Sequence, residues 1–495
     1  MVTGGSIMIV EILGAKLLAP YFGTSHFVWT AQITVTLLAL AAGYALGGWM
    51  ADRTQRLGWI YGGILLAAGW LSLVAFACER IAFFCLGQQL ALGSLLAAAI
   101  LFLVPLGSLA MVGPFFVRVL TRELRNIGGS VGRLTSLSTL GSVLGCLLIG
   151  YALIPHLPNS TTLLGTAGLL VAIALGYFAI WERQRIPPAV AATLVTAFCG
   201  FLAVASPTLR IPAPYHEVAR FNSSFGNLQV IDHGDGDYRL YLNDLLVQNT
   251  YNPKTGRSTS LFTHMLHGLA RSYTTNVNDV LCIGMGVGIV PMQFAKEGAR
   301  VDVVEINPAV VPVAEKYFGF DPQAVNLAIG DGRHFVMTTT NRYHTVILDA
   351  FLGESPPSHL MTREAFAAMR RCLRPDGTLV MNAFGEFRPG RDFLIASLRR
   401  TLREVFASVR LHASGNGNVF LVASDRADLQ PLRALDMESI PSHLQREAKR
   451  AFEGAPTVSD EAGIVLTDDF NPVDFHDAAN REEVRRQLAQ MTRPR

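Results

Sequence analysis

Four long stretches of this chain, residues 27–51, 57–78, 81–117 and 134–181, contain no Asp, Glu, Lys or Arg. An apolar helix of about 20 residues crosses a bilayer, and uncharged runs of this length have no equally stable use in water. The pattern predicts spans at 6–22, 27–51 and 57–78. It predicts one more within 81–117 after an interfacial piece at 81–88, two in 134–181 broken at "PHLPNS", and a last one at 186–209, about seven in all. Residues 1–206 hold ten Lys/Arg and five Asp/Glu, while the remaining 289 residues hold 64 charges. The chain is therefore a lipid-soluble region followed by a water-soluble one, with the bilayer as one partner. A net charge of +3 gives no footprint for nucleic acid.

Arginines fall in alternate connections: Arg53 and Arg56; Arg118, Arg122, Arg125 and Arg133; Arg183 and Arg185. Positive loops face the cytoplasm, so a true crossing at 186–209 would put the C-terminal region outside. Flanking prolines and small residues make this the weakest span, and a shallow or re-entrant segment there keeps the C-terminal region in the cytoplasm, which its chemistry favours. Glu11 and Lys16 lie in the first span; we expect them near its ends, snorkelling or paired, or in a functional role. "GGWMADRTQR" is similar to a loop of major facilitator transporters, although seven spans are not twelve. The first span begins almost at the first residue, so a few natural residues are expected to be missing from the start. The six cysteines show no C-x-x-C or metal spacing, so no metal is expected.

The second region begins with "FGNLQVIDHGDGDYRLYLND", alternating residues around a Gly-Asp turn, as in a hairpin. Strands then follow near 279–283, 301–306, 324–329, 344–350, 377–383 and 417–423, with helices near 289–297, 362–373 and 390–407. Such alternation predicts a mainly parallel sheet covered on both faces. The domains are expected at 1–206 (membrane), 207–260 (small β), 261–425 (Rossmann-like) and 426–495 (helical tail).

Gly284, Gly286 and Gly288 link the first strand to a helix, where free N–H groups meet an anionic or polar ligand. Glu305 closes the next strand, 17 residues after Gly288, and can accept both ribose hydroxyls. Asp331, followed by Gly332, stands past the third strand, in reach of an adenine amino group. Asp349 ends the fourth strand, where open α/β sheets bind substrate.

Residues 220–425 resemble the spermidine synthase (polyamine aminopropyltransferase) family. The likeness rests on "SSFGNLQV", "RLYLNDLLVQ", "VLCIGMGVG", "VVEIN", "GDGRHF", "VILDAF", "LMTREAF" and "LRPDGTLV". "LLAPYFGTSHFVWT", "TSLSTLGSVLGCLLIG" and the tail's "LTDDFNPVDF" are similar to the membrane-fused bacterial form, implying a multi-pass inner-membrane protein. The implied fold is a methyltransferase-like Rossmann sheet preceded by a small β domain. The implied activity is aminopropyl transfer from decarboxylated S-adenosylmethionine, or use of S-adenosylmethionine itself, with a small amine as acceptor. By the matched motifs, Gln248 and the glycines would hold the nucleoside, Glu305 the ribose, Asp331 the adenine, and Asp349 would act as base or cation-orienting group. The chain departs from the family at three places. Val287 stands where the glycine loop carries an acid, Asp349-Ala350-Phe351-Leu352 replaces Asp-Ser-x-Asp, and Phe262-Thr263 replaces a Tyr-His pair with His264 beside it. Glu354, Asp468 or Asp469 would have to compensate on the acceptor side; a capping or solvated role is the alternative for the last two.

Two other readings stay open: an S-adenosylmethionine-dependent methyltransferase, which the less acidic pocket suits, and a transporter or sensor whose globular part binds a nucleoside without chemistry. A nicotinamide dehydrogenase fits poorly, because the loop lacks the last glycine of G-x-G-x-x-G. Monomer and homodimer both remain open.

Overall fold

The computed structural model describes residues 1–23, 26–120, 127–205, 213–351, 356–415, 417–454, 456 and 458–484. Two compact units divide the chain, the first ending at Arg210 and the second running Ile211–Val484. All six cysteines are unpaired thiols.

The first unit is a bundle: α1 (Val2–Phe22), α2 (His26–Arg53), α3 (Gly58–Cys85), α4 (Leu90–Ala110), α5 (Val112–Leu120), α6 (Ile127–Leu148), a π turn (Ile149–Leu153) leading into α7 (Ile154–His156), α8 (Asn159–Trp181) and α9 (Ile186–Ala205). Seven of these helices, with α4–α5 and α6–α7 each counted as one, are long and apolar enough to cross a membrane. Helices that are apolar all round pack most closely where small residues let their backbones approach. Small residues do so here: a Cβ on Gly47 of α2 would lie 2.5 Å from the Met111 carbonyl oxygen, and one on Gly145 of α6 would lie 2.5 Å from that of Gly5 on α1.

Three expectations change in this unit. The predicted end at residue 78 and the separate interfacial piece at 81–88 are replaced by one helix, since α3 continues through Glu79 and Arg80 to Cys85. Its 28 residues span about 42 Å at the helical rise, more than the apolar core of a bilayer, so charges near one end need not stop it. The segment at 186–209 is not re-entrant: it contains an unbroken 20-residue helix, α9, which can cross a bilayer or lie along its surface. Its Pro187 and Pro188 sit in the first turn, where the missing N–H groups have no helical partner to lose. Glu11 is not near a helix end: it lies one residue from the midpoint of α1.

In the second unit, β1 (Tyr215–Ser223), β2 (Gly226–His233), β3 (Arg239–Asn243), β4 (Leu246–Asn252) and β5 (Arg257–Ser258) form an antiparallel meander. The β2–β3 hairpin is the one its alternation predicts. The β3–β4 turn places Asp244 and Leu245 at φ 46° and 69°, the positive pair that suits the twist of a two-residue hairpin.

The chain continues as α10 (Leu261–Tyr273), β6 (Asp279–Ile283), α11 (Ile289–Lys296), β7 (Arg300–Glu305), α12 (Val310–Phe318), β8 (Asn326–Ile329), α13 (Gly332–Thr338) and β9 (Tyr343–Leu348). It then forms α14 (Arg363–Cys372), β10 (Leu373–Phe384), α15 (Phe393–Arg403), β11 (Ser408–Ala413), β12 (Asn418–Ser424), α16 (Ser442–Glu453) and α17 (Val473–His476). The larger sheet has the order β11-β12-β10-β9-β6-β7-β8. It is a Rossmann-like, methyltransferase-type sheet, mainly parallel as expected, with β12 alone running antiparallel to both its neighbours. α16 falls in the tail expected to be helical, whereas sequence reading missed β11, α10, α12 and α13. Of these, α12 hides behind Pro312 and a β-branched run, and α13 behind the polar motif that begins it. One apolar core gathers Met265, Phe294 and Phe420 on one face of the sheet, joined by Ala448 of α16. A second gathers Phe366, Met369 and Leu398 on the other, joined by Leu466 of the tail.

Candidate active site

Strand order reverses between β9 and β6, which leaves a crevice at their C-terminal ends, the usual ligand position in open α/β sheets. Backbone bonds beyond the strands stitch this edge together. Asp349 N–H donates to Ile283 O, Gly284 N–H to Val304 O, and Gly330 N–H to Glu305 O, each at 2.9 Å. Four of the residues singled out in the sequence therefore stand side by side in the order Asp349, Gly284, Glu305, Asp331.

Gly284 has φ 88°, and a Cβ there would come within 2.7 Å of the Asp349 carbonyl carbon. Gly286, at φ 54°, has open space where its Cβ would be; the backbone is bare on that side and a ligand can lie against it. Gly288 caps α11 in the left-handed region. Gly332 opens α13 and packs against Ile283. Val287, in the position of the family's acid, is buried in the core and faces away from solvent.

Glu305 is buried and takes two backbone donors: Met285 N–H at 3.0 Å on Oε2 and Asn307 N–H at 2.8 Å on Oε1. Burial raises its pKa against the pull of these bonds. Each oxygen keeps a lone pair for a hydroxyl. Asn307 also donates to Ser223 Oγ at 3.1 Å, tying the end of β1 to the Glu305 side of the crevice.

Asp331 caps α13, accepting His334 N–H at 2.8 Å on Oδ1, while Oδ2 lies 3.0 Å from His359 Nε2. Burial pushes its pKa up, but the His334 bond and His359 outweigh this, and the net shift is downward. His359 escaped sequence reading, since a lone histidine 28 residues away carries no local pattern. Asp468 stands on the same wall. It forms a forked pair with Arg333 and accepts Thr362 Oγ1–H at 2.7 Å. Arg333 also donates to the His359 carbonyl oxygen at 2.8 Å, so the tail straps the segment that carries His359. Asp468 thus braces the Asp331 side of the crevice through Arg333, and Asp469 beside it is exposed.

At the other end of the row, Asp349 is half-buried and accepts Asn382 Nδ2–H at 3.0 Å. Asn382 Oδ1 in turn accepts Asn418 Nδ2–H at 3.1 Å. Burial raises the Asp349 carboxyl to about 6, with the Asn382 bond opposing. Asn382 was missed, although a polar residue inside "LVMNAF" was a readable signal. The Phe351 and Phe384 rings meet edge to face at 5.4 Å, two residues beyond Asp349 and Asn382 respectively.

His264 is buried in the first turn of α10, with Nε2 3.0 Å from the Ser258 carbonyl oxygen, and burial lowers its pKa. Gln248 is half-buried on β4. Glu354 lies outside the described residues.

Residues 259–414 match the spermine/spermidine synthase domain. A polyamine aminopropyltransferase of Vibrio vulnificus is 32% identical over 208 residues, covering 40% of this chain and 69% of that protein. The chain belongs to the spermidine synthase family. It is a transferase of the alkyl-transferring type. Polyamine aminopropyltransferase 2 of Hyperthermus butylicus is 30% identical over 190 residues, 35% of this chain and 62% of its own. The chain is also similar to an N-terminal histidine N-methyltransferase of Emericella nidulans, at 26% over 282 residues, covering 51% of this chain and 50% of that one. The residues matched to the family's motifs, Gly284, Gly286, Gly288, Glu305, Asp331 and Asp349, share this crevice, and Phe351 of the aromatic pair stands two residues beyond Asp349.

Proposed function

We propose that the second unit transfers an aminopropyl group from decarboxylated S-adenosylmethionine to a small amine, and that the helical bundle holds it in a membrane. The observation that carries this is the row of strand ends. Neighbouring strands lie about 4.8 Å apart, so Asp331 and Asp349, three strands apart, are separated by about 14 Å. A nucleoside laid across that row would put adenine at Asp331, ribose at Glu305, the sulfonium arm over Gly286 and the reacting carbon beside Asp349.

In the transfer, the amine nitrogen forms a bond to the carbon next to sulfur, the C–S bond breaks, and its electron pair leaves with sulfur as methylthioadenosine. Glu305 orients the ribose. Asp349 draws the ammonium form of the acceptor into the crevice and takes the proton that nitrogen must lose. Asn382 holds Asp349 Oδ1, leaving Oδ2 for the amine. Gln248 would close over the nucleoside from the meander, with His264 beneath it. The Phe351–Phe384 wall favours an acceptor with one ammonium and an apolar body over a compact diamine.

Methyl transfer from S-adenosylmethionine is the second reading, favoured by the buried Val287 and by the similarity to a methyltransferase. Incubating full-length protein in detergent with either sulfonium and a panel of amines separates the two. Amine-dependent methylthioadenosine supports aminopropyl transfer. S-adenosylhomocysteine transfers the protein to the methyltransferase reading, and neither product sinks both.

A further inference from the structure

Glu11 lies one residue from the midpoint of the 21-residue α1, about 15 Å from either end. A carboxylate at such depth in an apolar bundle is costly unless something compensates its charge. Among the described residues Glu11 makes no hydrogen bond or ion pair, with Lys16 or with any other.

A second polar group is stranded on the helix packed against α1. Gln32 of α2 is 0% exposed, and neither its Oε1 nor its Nε2 has a hydrogen-bond partner. Its amide lies flat on α1 at Gly14: a Cβ there would fall 2.7 Å from the Gln32 Cδ and Nε2 and 2.8 Å from Oε1. Only the missing side chain of Gly14 leaves room for it. Gly14 is three residues along α1 from Glu11, and positions three apart are neighbours on one helix face, about 5–6 Å between Cβ positions. A buried acceptor and an unpaired carboxylate thus flank the same place.

We propose that Glu11 and Gln32 form a binding site for a primary ammonium group inside the bundle. An ammonium has three N–H donors and one positive charge. Glu11 supplies the charge and an acceptor oxygen, and Gln32 Oε1 supplies a neutral acceptor. Gln32 Nε2–H then has the second carboxylate oxygen to donate to, once the ammonium draws the carboxylate in. A neutral ligand would leave Glu11 uncompensated. A divalent metal such as calcium takes six or more oxygens, and no group of three or more metal-ligating His, Cys, Asp or Glu occurs among the described residues. The inference rests on the membrane placement proposed above and not on the transfer reaction.

The test is equilibrium binding of radiolabelled methylammonium to the full-length protein in lipid nanodiscs. Glu11→Gln should weaken binding by about tenfold or more and Gln32→Leu by about threefold. Glu11→Asp, which keeps the charge, should retain measurable binding, and Asp349→Asn should leave this site unchanged. Tetramethylammonium, with equal charge and no N–H, and sodium should compete poorly. Wild-type binding in Glu11→Gln would overturn the proposal. So would a loss seen only in Asp349→Asn, or equal competition by tetramethylammonium or sodium. If Glu11→Gln does not remain monodisperse, Gln32→Leu alone decides. Liposome flotation of the same protein checks the membrane placement separately.

Discussion

The acids of the crevice and Glu11 of the bundle are treated in opposite ways. Each acid of the crevice is given donors: Glu305 has two backbone N–H groups, Asp331 a helix N-terminal N–H and His359, and Asp349 the Asn382 amide. Glu11 in the bundle is given none. In a domain bathed by water, a half-buried carboxylate can be stabilised by its own fold and still keep a lone pair for substrate. In an apolar bundle, a carboxylate without donors marks a place whose partner arrives from outside. The contrast lies in solvation, since both units bury polar groups.

The largest effect expected is at Asp349. Replacing it with Asn should lower kcat by about a thousandfold while changing methylthioadenosine affinity by no more than about threefold. A comparable loss of affinity would mean that Asp349 binds the nucleoside and does no proton transfer. In the wild type, kcat/KM should fall about tenfold per unit as pH drops below about 6. The raised carboxyl is ionised above that value and protonated below it.

Stability of the transferase unit should respond to a different group. His412 is 1% exposed; its Nδ1–H donates to the Phe452 carbonyl oxygen and its Nε2 accepts Tyr273 O–H, both at 2.9 Å. Burial lowers its pKa from 6.5 to about 4. The depressed folded value means that its contribution is fully present above about 6.5 and is lost as pH falls toward about 4, on the order of 3 kcal/mol in all. Hydrogen exchange in β11 and β12 of the full-length protein should accelerate over that window. His412→Phe should flatten the response, and an unchanged slope in this variant would assign the effect elsewhere.

Glu305→Gln keeps the shape but turns one acceptor into a donor facing a backbone N–H. Nucleoside affinity, measured by calorimetry, should fall by about ten- to thirtyfold. The smallest effect belongs to the tail: Asp468→Asn, which loosens Arg333 and with it the His359 segment, should raise the nucleoside KM by about two- to fivefold with kcat unchanged. A change in kcat alone would place Asp468 in the acceptor pocket instead.

The comparison is sharpest over sidedness. Seven crossings with arginine-rich loops inside would leave the transferase unit on the outer face, whereas its nucleoside chemistry favours the cytoplasm. We propose the cytoplasmic side, which requires α9 to lie along the membrane surface. A reporter joined after Arg495 that is active only outside the cytoplasm would reverse that placement.

Much of this protein was legible in one dimension because the signals are local. Charge-free runs marked the bundle helices, since a long apolar run satisfies its backbone groups best as a helix, and they misplaced only ends such as that of α3. Alternation marked the β2–β3 hairpin. The Gly284–Gly288 loop and Glu305, Asp331 and Asp349 could be assigned because each ends a strand, and strand ends share one edge of a parallel sheet. What was not legible depends on partners far apart in sequence. His359 reaches Asp331, Asp468 reaches Arg333 across 135 residues, and Asn382 holds Asp349, and no spacing rule foretells such pairs. The strandedness of Gln32 is likewise invisible in "WTAQITVT", because it depends on Gly14 of another helix. The sequence by itself determined which residues could enter each layer, through hydrophobicity and backbone preference. Only the tertiary structure decided which polar groups found partners and which were left open, because a hydrogen bond depends on ångström distances between segments that the chain order does not set.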